Sequence, residues 1–203
     1  MIIRRGAEAE IHLTEWLGRQ VISKHRVPKA YRLPAVDEGL RIARTKKEAK
    51  LISDARRLGI STPIIFDIDL KAYKIIMEYI DGPRFKDILI DLDKGERAEL
   101  LRKLGKDIGR MHKNNIVHGD LTTSNILKRD NKLYFIDFSL GDICEDIESK
   151  GVDLHLLMEA FESTHPELME EFKFILEGYH TEYDSAAEVE KKIAEIIKRG
   201  RYT

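Results

Sequence analysis

Two acidic residues and one amide fall close together in the middle of this chain. Asp120 and Asn125 stand five positions apart in Val117-His118-Gly119-Asp120-Leu121-Thr122-Thr123-Ser124-Asn125, and Asp137 follows in Phe135-Ile136-Asp137-Phe138. Between them, 126–128 and 132–136 read as the two strands of a hairpin. Loops that flank one hairpin can bring two carboxylates and an amide oxygen together, and hard oxygen donors of this kind suit magnesium. A carboxylate in such a group can also orient an attacking hydroxyl or take its proton. The bland alternative is an acidic hairpin with a helix cap. Upstream, Val21-Ile22-Ser23-Lys24 reads as a strand ending in a lysine, with Lys29 as its competitor and a solvated surface group as the alternative, and Glu48 follows on a helix. Glu48 is surrounded by Arg44, Lys46, Lys47 and Lys50, so a surface pair at helical spacing is the alternative there.

The elements that must position these groups are readable in outline. Mixed apolar and polar residues at 2–5, 11–13 and 19–26 suggest short strands. A helix is expected over 37–58, with Leu40, Ala43, Leu51, Ile52, Ala55 and Leu58 as its apolar stripe and Gly59 as its stop. Strands at 64–68 and 72–79 follow, and Asp81-Gly82-Pro83 breaks the pattern. Helices are expected at 84–91, 96–114, 152–161, 166–177 and 185–198. Strands with one helix, then helices, describe an α+β protein of two lobes, 1–80 and 81–203. The spacing shows no internal repeat and no low-complexity tract.

Bulk composition bounds the partners. The chain has 203 residues with 42% apolar content, enough for a core, and its 35 basic side chains nearly balance 36 acidic ones. A net charge of -1 gives no global attraction to nucleic acid or to a membrane. One cysteine, Cys144, excludes an intramolecular disulfide and a cysteine-based zinc cage, which fits a reducing, cytoplasmic setting. No apolar run approaches the roughly 20 residues that span a bilayer, and no export signal is expected.

The 117–138 region resembles protein kinases, whose catalytic loop has an Asp followed five positions later by an Asn, with a magnesium-binding Asp-Phe-Gly soon after. The resemblance implies ATP and Mg2+ as cofactors. Asp120 would orient or deprotonate the nucleophile, Asn125 and Asp137 would bind the metal, and His118 would support the loop. Ile22 and Lys24 resemble the strand that ends in the phosphate-binding lysine, with Glu48 as its ion-pair partner. Gly6-Ala7-Glu8-Ala9 occupies the place of the glycine-rich loop, with one glycine instead of three. Met77-Glu78-Tyr79-Ile80 resembles the hinge, whose backbone around Glu78 and Ile80 would pair with adenine; an edge strand ending in a turn is the alternative.

Three departures narrow the family. Gly119 stands where most protein kinases have arginine, Ser139 stands where they have glycine after Asp137-Phe138, and no Ala-Pro-Glu segment follows. Fifteen residues separate Asp137 from Asp153, too few for a peptide-docking platform. Asp153, read as the start of the lower lobe's central helix, would brace the catalytic loop or serve only as a cap. Across about 6–202 the pattern resembles the kinase-like subunit of the KEOPS complex. It does so through Gly6-Ala7-Glu8-Ala9, Arg26-Val27-Pro28-Lys29-Ala30-Tyr31-Arg32, Arg44-Thr45-Lys46-Lys47-Glu48-Ala49, the His118–Asn125 loop, 136–141 and a basic tail. That resemblance implies a minimal two-lobed kinase fold, with a mostly β N-lobe carrying one long helix and a reduced helical C-lobe. It also implies a Ser/Thr kinase and ATPase that autophosphorylates and works beside a threonylcarbamoyl-transferase subunit. The basic segment 24–32, the 37–58 helix and the tail Lys198-Arg199-Gly200-Arg201-Tyr202 are candidate tRNA contacts, a solvated face being the alternative for the helix. Two competing functions remain. One is a small-molecule phosphotransferase of the aminoglycoside-kinase type, opposed by Thr122-Thr123-Ser124 where such enzymes carry a second histidine. The other is a non-catalytic scaffold.

Overall fold

The computed structural model describes residues 2–6 and 8–200. Strands β1 (Ile2–Arg5), β2 (Ala9–Trp16) and β3 (Arg19–Arg26) form an antiparallel meander. Leu17 and Gly18, both at positive φ, make the two-residue connection whose twist suits a hairpin. β4 (Ile65–Asp69) and β5 (Lys74–Glu78) complete a five-stranded sheet in the order β1-β2-β3-β5-β4. Alternation along β3 puts Lys24 and Arg26 on one face, and both are buried.

That face is covered by α1 (Pro34–Arg57). The helix starts three residues before the expected 37, because Pro34 supplies a preformed first turn. Its apolar stripe is also narrower than expected: Leu40 is exposed, whereas Ala49 packs on Ile75 and Met77 of β5. One turn further on, Leu51, Ile52 and Ala55 enter a different and larger core. The alternative reading of Glu48 as a surface pair does not hold, since this carboxylate is 1% exposed.

The larger core belongs to the second part of the chain. It is built from α2 (Phe85–Ile88), α3 (Lys94–Lys113), β6 (Ile116–Val117), the hairpin β7 (Ile126–Arg129) and β8 (Lys132–Phe135), β9 (Asp142–Ile143), α4 (Ile147–Thr164), α5 (Phe172–Glu182) and α6 (Ala186–Gly200). Asp93 caps α3 by accepting from the Gly95 and Glu96 amides. α3 and α5 lie so close that a Cβ on Gly105 would stand 1.9 Å from the Ile175 carbonyl oxygen. Leu101, Leu104, Ile108, Phe138, Leu157, Phe161 and Tyr179 fill the interior. The architecture is α+β, a small antiparallel sheet with one long helix followed by a helical part. No helix among the described residues is long and apolar enough to cross a membrane.

Candidate active site

A cavity of about 230 Å³ opens between the sheet and the helical part. Its wall includes Ile22, Lys24, Glu48, Met77, Glu78, Ile80, Asn125 and Asp137, all expected from the sequence, with Leu127 and Ile136 from the hairpin. A smaller pocket shares Ile11, Lys24 and Asp137 with it and adds Gly6, Glu8, Ala9, Asp120 and Ser139. Ala7, also expected at the site, lies outside the described residues.

Lys24 is the centre of the polar network. Its ammonium donates to Glu48 Oε1 at 2.5 Å, to Asp137 Oδ1 at 2.7 Å and to Ser139 Oγ at 2.7 Å. Burial opposes the Lys24 charge, but Glu48 and Asp137 outweigh it and raise the ammonium's pKa. Asp137 experiences the reciprocal effect. Burial alone would raise its pKa, yet the Lys24 charge and the Lys24 and Ser139 hydrogen bonds hold it well below the usual carboxylate range. Its backbone is left-handed, at φ 66, a conformation that an Asp tolerates better than most residues and one that clusters at functional sites. The carboxylate is thus aimed and ionised before any ligand arrives.

The catalytic loop is held from below. Asp153 Oδ2 accepts from the His118 amide at 2.7 Å and Oδ1 from the Gly119 amide at 2.8 Å. His112 donates to the same carboxylate through Nε2 at 3.2 Å, while its Nδ1 accepts from the Tyr179 hydroxyl at 2.9 Å. Asp153 does not open its helix, as the sequence suggested. Asp146 caps α4 by accepting from the Ser149 amide, and Asp153 sits two turns inside. His118 donates from Nε2 to the Ile136 carbonyl, 3.1 Å away, and its Nδ1 faces the Asp120 amide at 3.4 Å. Burial depresses its pKa, which keeps the ring neutral and in this tautomer. It therefore links the 118–125 loop to the segment after β8 that carries Asp137.

Asn125 uses its amide nitrogen on Asp120, donating to Oδ2 at 2.8 Å and to the backbone oxygen at 2.9 Å. The amide oxygen is left for the cavity. The Glu78 side chain accepts from Arg129 at 3.0 Å and from the Ile64 amide at 3.2 Å. Its own amide donates to the Ile64 carbonyl at 2.8 Å.

Two participants were not foreseen. Arg26 reaches Glu48 Oε2 at 2.5 Å, giving that carboxylate a second cation. The signal was its spacing of two from Lys24 on a strand. His112 was the other, marked only by its place in the last turn of α3. Much of the basic charge expected as surface is paired. Arg41 bonds Asp37, Arg44 bonds Glu8, and Lys47 and Lys50 meet Asp142 and Asp54. Arg199 pairs with Glu148, while Arg201 and Tyr202 of the expected tail lie outside the described residues.

The RIO domain matches residues 21–150. The chain is similar to the KEOPS complex subunit Bud32 of Pyrococcus abyssi, 44% identical over 210 residues, covering 99% of this chain and 96% of that one. It is equally similar, at 44%, to a probable bifunctional tRNA threonylcarbamoyladenosine biosynthesis protein of Methanothermobacter thermautotrophicus, covering 100% of this chain but 36% of the relative. The chain spans about a third of that longer protein. Among solved structures, WaaP in complex with acyl carrier protein has a TM-score of 0.71 at 14% identity, covering 99% of this chain and 87% of that one. The Rio2 kinase-ADP/Mg2+-phosphoaspartate complex from Chaetomium thermophilum gives 0.67 at 17%, covering 98% and 70%. At these identities the likeness is one of fold, and the fold is kinase-like.

Proposed function

The chain belongs to the RIO-domain family and to the family of the KEOPS complex subunit Bud32, and on that premise we propose that it is an ATP-dependent atypical Ser/Thr protein kinase and ATPase that autophosphorylates and supports threonylcarbamoyl-adenosine modification of tRNA within a KEOPS complex. Residues 1–80 form its upper lobe and 81–203 its lower lobe, and it works in the cytoplasm beside a threonylcarbamoyl-transferase subunit. Relatives in which a homologous stretch is part of a bifunctional protein of that name support this pairing.

The observation that carries the reading is the position of Lys24, bonded at once to Glu48 and to Asp137 on the wall of the cavity. An ammonium so fixed is prepared to hold phosphate oxygens. Asp137 and the Asn125 amide oxygen suit magnesium, which takes one or two carboxylates along with substrate phosphates rather than an all-protein cage. The donor set agrees with that preference, since Asp137 and Asn125 put one carboxylate and one amide on the cavity wall. Bound magnesium supplies charge neutralisation on the phosphates. The rest falls to the chain. Asp120, oriented by Asn125, accepts the proton of a hydroxyl or aligns water for in-line attack, and catalysis is mainly positioning.

The test is labelled ATP turnover by wild type and Asp120→Ala, with magnesium, alone and with the transferase subunit and tRNA. Loss of Asp120 is expected to lower kcat by about 10²- to 10⁴-fold with nucleotide affinity little changed. Free phosphate that depends on Asp120 and rises with those partners supports the ATPase role, and label on protein supports the kinase role. Turnover indifferent to Asp120 under every condition overturns the reading.

A further inference from the structure

The turn between β1 and β2 is closed by the Gly6 amide donating to the Ala9 carbonyl at 2.9 Å, and it carries Glu8. The β2–β3 register sets Ala9 opposite Arg26. The ladder therefore fixes Arg26 beneath the exit of this turn. Arg26 is 2% exposed and stands outside the walls of the cavity and of the smaller pocket. Its Nη2 donates to Glu48 Oε2 at 2.5 Å. Its Nε and Nη1 are buried without a hydrogen-bond partner among the described residues, and Nη1 lies 4.0 Å from Glu8 Oε2. A guanidinium presents its donors as a fork that a carboxylate can accept on two atoms. Leaving one edge of a buried fork unpaired is unfavourable and calls for an explanation. The carboxylate within reach is Glu8, half-buried, already bonded by Arg44 and 3.6 Å from Arg32.

We propose that Arg26 is a positioning residue that couples Glu8, at the entry of β2, to the Lys24–Glu48 pair. The idea rests on the reading of the cavity as the nucleotide site. With nucleotide in the cavity, the Glu8 carboxylate closes the 4.0 Å gap to Nη1 of Arg26, and the same guanidinium keeps Glu48 aimed at Lys24. Glu8 then serves the site as an anchor to the sheet rather than as a phosphate contact, which an acidic side chain would repel.

A double-mutant cycle on ATP turnover tests the coupling, with Asp120→Ala as the blank and melting temperature as the check on folding. Glu8→Gln and Arg26→Gln are each expected to lower kcat by about tenfold while the KM for ATP moves little. The double variant should fall no further than Arg26→Gln alone, because both changes break one link. Arg26→Lys keeps the charge but loses the fork, and should behave like Arg26→Gln; it also replaces that variant in the cycle if Arg26→Gln folds poorly. A double variant reduced by about a hundredfold, the product of two independent effects, would overturn the coupling. If wild type itself shows no Asp120-dependent turnover, the nucleotide reading fails, and hydrogen exchange of the Gly6, Glu8 and Ala9 amides decides the coupling separately. Faster exchange there in both Glu8→Gln and Arg26→Gln supports it, and unchanged exchange in either overturns it.

Discussion

Asp107 and Asp137 are both largely buried carboxylates, and their surroundings move them in opposite directions. Asp137 has Lys24 and Ser139 to favour its charged form, so its pKa is depressed despite burial. Asp107, on α3, meets mainly burial, which pushes its pKa from 3.8 up to about 6; the more distant charges of Arg110 and Lys103 only moderate the effect. A carboxyl whose folded pKa lies above its unfolded value stabilises the fold fully below the unfolded value, and this contribution is lost as pH rises through the folded one. Between about pH 4 and 6, Asp107 therefore makes the fold less stable as pH increases. Asp107→Asn should raise stability at pH 8 by about 1–3 kcal/mol and leave it little changed at pH 4, read by urea denaturation of both proteins. A variant less stable at pH 8 would mean that Asp107 has a partner that favours its charge. The two aspartates also differ in legibility. Asp137 is set by a local pattern of residue types that any reader of 117–138 meets. Asp107 looks like one more polar position on an amphipathic helix, because what moves it is packing against elements far away in sequence.

At the scale of elements, the catalytic loop is shaped by what presses on it. Gly119 has φ +79, and a Cβ there would lie 2.2 Å from the Leu140 oxygen and 2.4 Å from its carbonyl carbon. The short segment between Asp137 and α4 folds back on the loop and is pinned by the β6–β9 pairing and by the Cys144 amide on the Asn115 carbonyl. No side chain fits beneath it, which gives a physical reason for glycine where most protein kinases have arginine. Gly119→Ala should cost about 2–4 kcal/mol, combining left-handed strain with displaced backbone. It should reduce turnover more than nucleotide binding, measured by ATPase rate and ADP titration. A fully active and equally stable Gly119→Ala would show that the return segment yields freely. The same packing explains an error of the sequence reading. The sequence reading begins this helix at 152, with Asp153 at its start, whereas α4 begins at Ile147. Gly151 is instead a point of close approach inside the helix, where a Cβ would touch Lys192 of α6 at 3.0 Å. Tertiary contact, not local propensity, decides that turn.

At the scale of the molecule, the two parts of the chain are stabilised by different means. The helical part has a continuous apolar interior in which Leu101, Leu104, Ile108, Phe135, Phe138, Phe161, Ile175 and Tyr179 are fully buried. The sheet has a small cluster of Ala49, Ile75 and Met77, and beside it the buried Lys24–Glu48–Arg26 network. α1 joins the two, placing Ala49 and Glu48 against the sheet and Leu51, Ile52 and Ala55 in the larger core. The strand-and-helix order made the layout legible, but it could not show that one helix serves both interiors, since that depends on the rotation of α1 about its axis. The consequence is an uneven distribution of stability. Glu48 neutralises two buried cations, and removing one partner of a buried ion pair costs about 3–5 kcal/mol. With so little apolar packing of its own, the sheet should bear that loss locally. Hydrogen exchange on Glu48→Gln should show protection of β2, β3 and β5 amides reduced by about 3 kcal/mol, while α3 and α5 amides remain near the wild-type values. A uniform loss across both sets would mean that α1 transmits strain fully and the chain unfolds as one unit. Local loss would mean that the sheet opens separately, the mobility a site needs if nucleotide enters and leaves between the sheet and the helical part.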